Sequence, residues 1–166
     1  MTEEDYRNAI ADAWESDDVV WSRVVALVER ALRDYPNSPK LWCVLGDAIQ
    51  MAGLTEESGP YPPEEALRCY EKAVSLDANC AEAQEEIGYY YDALVDDPQR
   101  AVVAFREAIR LGAGKTAFIG LARSLAEIGD ASAALAALEE SADQDDPDVR
   151  KIRDEILSGE WTPIEI

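Results

Sequence analysis

The chain has 166 residues, 48% of them hydrophobic, which suits one globular domain with a sizeable core. Thirty-five acidic against fifteen basic residues leave a net charge of −20, which repels phosphate backbones and anionic membranes. Nucleic acid and membranes are therefore poor partners, and the absence of histidine removes the commonest general base and metal ligand.

Residues 3–16 read as an amphipathic helix with Tyr6, Ala9, Ile10, Ala13 and Trp14 toward one side. Asp17 and Asp18 interrupt it and can cap a helix over about 19–35, where Val24, Leu27, Val28 and Ala31 recur at helical spacing. Pro36-Asn37-Ser38-Pro39 stops that helix, and Asn37 or Ser38 can cap the next. Lys40 to Ala52 carries Trp42, Leu45, Gly46 and Ile49 on one face. Gly53 ends it, and a Pro/Gly-rich stretch to Pro63 reads as an inserted loop. Glu64 to Leu76 is the partner helix, with Ala66, Tyr70, Ala73 and Val74.

Asp77-Ala78-Asn79 turns the chain into a helix over about 81–94. Its return helix covers about 98–111, opened by Asp96-Asp97-Pro98 and closed by Gly112-Ala113-Gly114. A further hairpin spans about 115–142, with Phe118, Leu121, Ala122 and Leu125 before the Gly129-Asp130 turn and Ala134, Leu135 and Leu138 after it. Asp145-Asp146-Pro147 opens a last helix to about Leu157, and Ser158-Gly159 breaks it before the tail 159–166. Period-two alternation is absent, so strands find no support.

Trp42-x-x-Leu45-Gly46, followed by Ala66, Tyr70 and Ala73, resembles the tetratricopeptide repeat (TPR) family. Gly88 and Ala122 match the small residue at the close helix approach, while Ala101 and Ala134 match the first alanine of the return helix. Ala108 matches the later alanine, where Ser141 stands in the last repeat, and Phe105 and Leu138 fill the large place held by Tyr70. The chain departs from the pattern at Ala78 and Gly112-Ala113, where a proline often stands, and at Asp12, where a small residue is usual. The related Sel1-like family is the second resemblance. The resemblance implies an all-α fold: a short right-handed α-solenoid of four hairpins plus a C-terminal capping helix. The repeats fall at 1–37 (degenerate or capping), 38–78, 79–113 and 114–146, with a cap at 147–158 and the tail 159–166, all within one domain over 1–166.

The resemblance also implies a concave groove lined by the first helix of each hairpin. Rotating away from the packing residues Gln84, Ile87, Gly88 and Tyr91 selects Glu82, Glu85, Tyr89 and Asp92. The same rotation selects Lys40, Cys43, Asp47 and Gln50 on the preceding hairpin, and Thr116, Ile119, Arg123 and Glu127 on the following one. The expected partner-binding residues are Asp47, Gln50, Glu82, Glu85, Tyr89, Asp92 and Arg123. Carboxylates there attract Lys or Arg of a partner, with Tyr89 packing on the aliphatic stem; the plain alternative is a solvated acidic face. The family's clamp for chaperone C-terminal carboxylates does not fit, because Cys43, Asp47 and Glu86 occupy its places.

Other chemistry finds little support. Asp143 to Asp148 lacks the glycine of a calcium loop and reads as a helix cap. Tyr89-Tyr90-Tyr91 reads as alternate burial rather than base stacking. Cys43, Cys69 and Cys80 form no Cys-x-x-Cys pair and read as reduced, packed thiols of a cytoplasmic protein. No phosphate loop, nucleophile elbow, cofactor motif or metal cluster is legible, so the chain reads as no enzyme. The N-terminus does not read as a signal peptide. The expected function is a protein-binding adaptor that holds a basic or extended segment of another protein. The alternative is a structural subunit of a larger assembly or homo-oligomer. Tyr61, Trp161, Ile164 and Ile166 favour that alternative where they do not pack internally.

Overall fold

The computed structural model describes residues 1–16, 18–54, 61, 62, 64–159 and 161. Asp17, most of the inserted loop and the tail apart from Gly159 and Trp161 lie outside these; Asp18, the other expected cap, does not cap the next helix, which opens after Val20 with no side-chain hydrogen bond. Among the described residues all regular structure is helical, and no helix is long and apolar enough to cross a membrane. The helices fall into two compact units, residues 1–78 and 79–166.

The first unit holds α1 (Glu3–Trp14), α2 (Trp21–Asp34), α3 (Pro39–Leu54) and α4 (Glu64–Leu76). Thr2 opens α1 with a capping box, its hydroxyl taking the Asp5 N–H while the Asp5 carboxylate takes its own. Buried Tyr6 donates from its hydroxyl to Asp34 at 2.6 Å, and Ser38 donates to Glu3 at 2.6 Å. α3 packs on both α2 and α4. Gly46 makes the α3–α4 approach possible, since a Cβ there would lie 2.5 Å from Tyr70 Cε1.

Because α3 lies between two partners, it buries residues nearly all round, including Leu41, Cys43, Leu45, Ala48 and Ile49. Cys43, expected on the open face, is completely buried for this reason. Burial, with Glu65 and Asp47 as lesser causes, pushes the Cys69 thiol up to about 12. Cys80 is half-buried. Iodoacetamide at neutral pH should therefore alkylate Cys80 first, and Cys43 and Cys69 only on unfolding. Mass spectrometry of the partly labelled native protein checks this; early label at Cys69 would contradict the packing.

The second unit holds α5 (Ala81–Tyr89), α6 (Pro98–Arg110), α7 (Lys115–Glu127), α8 (Ala131–Glu140) and α9 (Pro147–Ser158). α5 runs on into a π-helical segment, Tyr90–Val95, which ends with Asp96 in the left-handed region at φ 57°. Asp97 caps α6, accepting from the Arg100 N–H, with Pro98 in its first turn. Asp130 caps α8, and Asp146 caps α9 by accepting from the Asp148 N–H while also pairing with Lys115 at 2.8 Å. The core centres on Phe105, which packs with Ala101, Ala108, Leu121, Ala122, Leu125 and Leu138.

Candidate functional site

In the second unit α5, its π-helical continuation and α7 carry the acidic residues of interest. Tyr89 is half-buried: its ring meets Phe105 edge-on at 5.0 Å, and its hydroxyl donates to the Thr116 carbonyl at 2.9 Å. Burial, then the Glu85 and Glu86 carboxylates, pushes the phenol up to about 12. Asp92 accepts from Ser124 Oγ at 2.9 Å, and Ser124 is completely buried on α7. Glu127, one turn beyond Arg123, is held above the usual carboxylate range, first by burial and then by Asp92, with Arg123 opposing and Asp96 adding.

The sign follows from burial first and from the neighbouring Asp92 second. A carboxyl raised in the fold contributes stability that is complete below its ordinary pKa and is lost as pH rises through the folded value. At neutral pH Glu127 is therefore charged against a cost.

Four of the expected residues thus come together here: Glu85, Tyr89, Asp92 and Arg123. Glu82 is exposed. Asp47 and Gln50 belong to the first unit, where both meet the buried Tyr70 hydroxyl; it donates to Asp47 at 2.8 Å and accepts from Gln50 at 2.6 Å.

The packing face of α5 differs from the expected one. Ala83, Gly88 and Tyr90 are buried, whereas Gln84, Ile87 and Tyr91 are half-buried. Tyr89 is not a free aromatic contact but a wall of the core. The π-helical turn is wider than an α-turn, so the 3.6-residue period fails from Tyr90 onward.

Helical spacing alone does not find two of the participants. Ser124 looks like a small core residue in sequence, and only the paired helix shows its hydroxyl meeting Asp92. Trp161 packs half-buried against the second unit's core, its ring 5.3 Å from the Arg123 guanidinium carbon. Arg123 Nε and Trp161 Nε1 are buried with no hydrogen-bond partner among the described residues.

No protein-family profile matches the chain, and no curated protein matches it in sequence. Solved structures do resemble it. YrrB, described as a TPR protein with an unusual peptide-binding site, superposes with a TM-score of 0.66 at 20% identity, over 80% of this chain and 66% of YrrB. TTC0263, a thermophilic TPR protein of Thermus thermophilus, gives 0.56 at 17% identity over 95% of this chain and 100% of its own.

The fold is that of the TPR proteins.

PilW, a type IV pilus biogenesis factor, is also similar, with a TM-score of 0.74 at 19% identity over 95% of this chain and 70% of PilW. The chain thus spans about two thirds of the length of YrrB and PilW. Within the TPR fold, Gly46 facing Tyr70 and Gly88 facing Phe105 are the same contact in two repeats. α5 and α7 are the first helices of their hairpins, the ones that carry the acidic cluster.

Proposed function

We propose that the chain is a non-catalytic interaction module, and that the acidic face of α5 and α7 receives a basic, extended segment of another protein. The observation that carries this reading is the gathering of Glu85, Glu86, Asp92 and Glu127 around Tyr89 and Arg123. A partner ammonium or guanidinium group offers Glu127 a counter-charge against Asp92 and Asp96. The peptide-binding site of YrrB supports the general reading. A cytoplasmic setting, where the thiols stay reduced, fits it. The subunit alternative loses one of its pointers, since Trp161 packs on the second unit, while Tyr61 stays exposed with its hydroxyl bonded to Glu29.

The test is titration of a fluorescent peptide rich in Lys and Arg, with its neutral analogue as control. Affinity should fall as salt rises, since exposed charges are screened within about 10 Å at 0.1 M. Glu85→Lys should weaken binding mainly by slowing association. Glu127→Gln should weaken it too, while leaving the free protein as stable or slightly more so, because it removes a carboxylate charged against a cost. Binding that ignores both changes would leave the face a solvated one.

A further inference from the structure

The chain itself already places a side chain over part of the acidic site of the second unit. Ser158 ends α9, and Gly159 follows in the left-handed region at φ 80°, where glycine turns the chain without strain. Two residues later Trp161 packs half-buried on the core centred on Phe105, the same core that Tyr89 walls. Its ring lies 5.3 Å from the guanidinium carbon of Arg123. Arg123 sits on α7 one turn before Glu127, whose carboxyl it helps to hold down against Asp92 and Asp96. An indole from beyond α9 thus covers the cation that stands among these carboxylates.

The contact is attractive but incompletely satisfied. Cation–π attraction and apolar burial hold the ring in place. Against them, Arg123 Nε and Trp161 Nε1 are buried and lack an acceptor among the described residues. Each N–H gives up hydrogen bonds to water when the ring closes, and a buried donor left unmet carries its full desolvation penalty. Releasing Trp161 rehydrates both donors at once. The rings that form the permanent core are arranged differently. Phe105 has no polar atom to desolvate, and the buried Tyr70 hydroxyl both donates to Asp47 and accepts from Gln50.

We propose that Trp161 is a displaceable latch over Arg123, closed in the free protein and opened when a partner segment enters the acidic face. This rests on the reading of that face as a partner site. The entering segment supplies what the latch lacks. Its backbone carbonyl oxygens can accept from Arg123 Nε, while its Lys or Arg side chains meet Glu85 and Glu127. Closure lowers the apparent affinity in proportion to the open fraction, so a latch open in about one molecule in ten weakens binding about tenfold. A segment must therefore offer enough contacts to displace the indole, and a stray cation attracted by charge alone does not open it.

The probe is the fluorescent peptide rich in Lys and Arg, titrated by anisotropy against the full chain and against the same chain with Trp161→Ala. The substitution changes no charge, so tighter binding reports access and not a stronger field. Affinity should rise about threefold or more, and circular dichroism checks that the variant folds. A second measurement uses the native sequence carrying fluorotryptophan. Fluorine NMR resolves its four tryptophans, and Trp161→Phe identifies the Trp161 resonance by its loss. That resonance should move to its solvent-exposed position as the peptide saturates, while the other three stay. Binding by Trp161→Ala alone would mark a latch that is fully closed in the native chain. A rise below about threefold, or binding that leaves the Trp161 resonance in place, overturns the latch and leaves the acidic-face reading standing. A peptide that binds neither chain overturns both.

Discussion

Phe105→Ala should cost about 3–5 kcal/mol, the range for removing a fully buried aromatic ring. Phe105 is completely buried, and three neighbours are shaped around it. A Cβ on Gly88 would lie 2.6 Å from the ring and one on Gly120 2.4 Å from it, while Tyr89 stacks on it edge-on. Small domains have only about 5–15 kcal/mol in total, so the loss should be plain in urea denaturation.

The glycines supply a sharper check. In the native chain Gly120→Ala should destabilise, because its methyl group meets an immovable ring. In the Phe105→Ala background the same change should stabilise, by filling the space and by adding helix propensity of up to about 1 kcal/mol. If Gly120→Ala has the same sign in both backgrounds, Phe105 is not the group that requires glycine there.

Gly46→Leu should cost about 1–3 kcal/mol or more by overpacking α3 against α4. The ring of Tyr70 cannot give way easily. It is completely buried, and its hydroxyl is held by Asp47 and Gln50. Moving it strains those two hydrogen bonds as well, each contributing about 0.5–1.5 kcal/mol net. For a chain of this length, each kcal/mol lowers Tm by about 2–4 °C. An unchanged Tm in a calorimetric scan would mean that the hairpin opens freely at this point. Tyr70→Phe in the Gly46→Leu background should then add little, since the hydroxyl contacts are already disturbed; additive losses would show that they survive.

Helix starts are legible because they are chemical events within four residues. Thr2, Asp97, Asp130 and Asp146 each offer an oxygen to backbone N–H groups that no helix can satisfy for itself. The pairing of Gly46 with Tyr70 and of Gly88 with Phe105 is legible for a different reason: a ring that large requires a missing side chain opposite, at matching places in two repeats. The candidate site is legible only in part. Helical spacing groups Glu85, Asp92 and Arg123 with Tyr89, but it places Tyr89 on the open face where the fold makes it a core wall, and Asp92 falls in the π-helical turn where the period fails.

The sequence by itself determined that the chain is helical and that Gly46 and Gly88 allow close approach, because these are set by periodicity and volume within one or two helices. Tertiary structure decided the rest. It buried Cys43 by placing α3 between two neighbours, let a π-helical turn break the period at Tyr90, and gave Asp92 a hydroxyl partner thirty-two residues away on α7. It also brought Arg7 and Lys40 to one cleft from helices separated by all of α2. The physical reason is the same throughout: helical periodicity reports the direction of a side chain about its own axis, and only the neighbouring helices determine whether that direction meets core, charge or solvent.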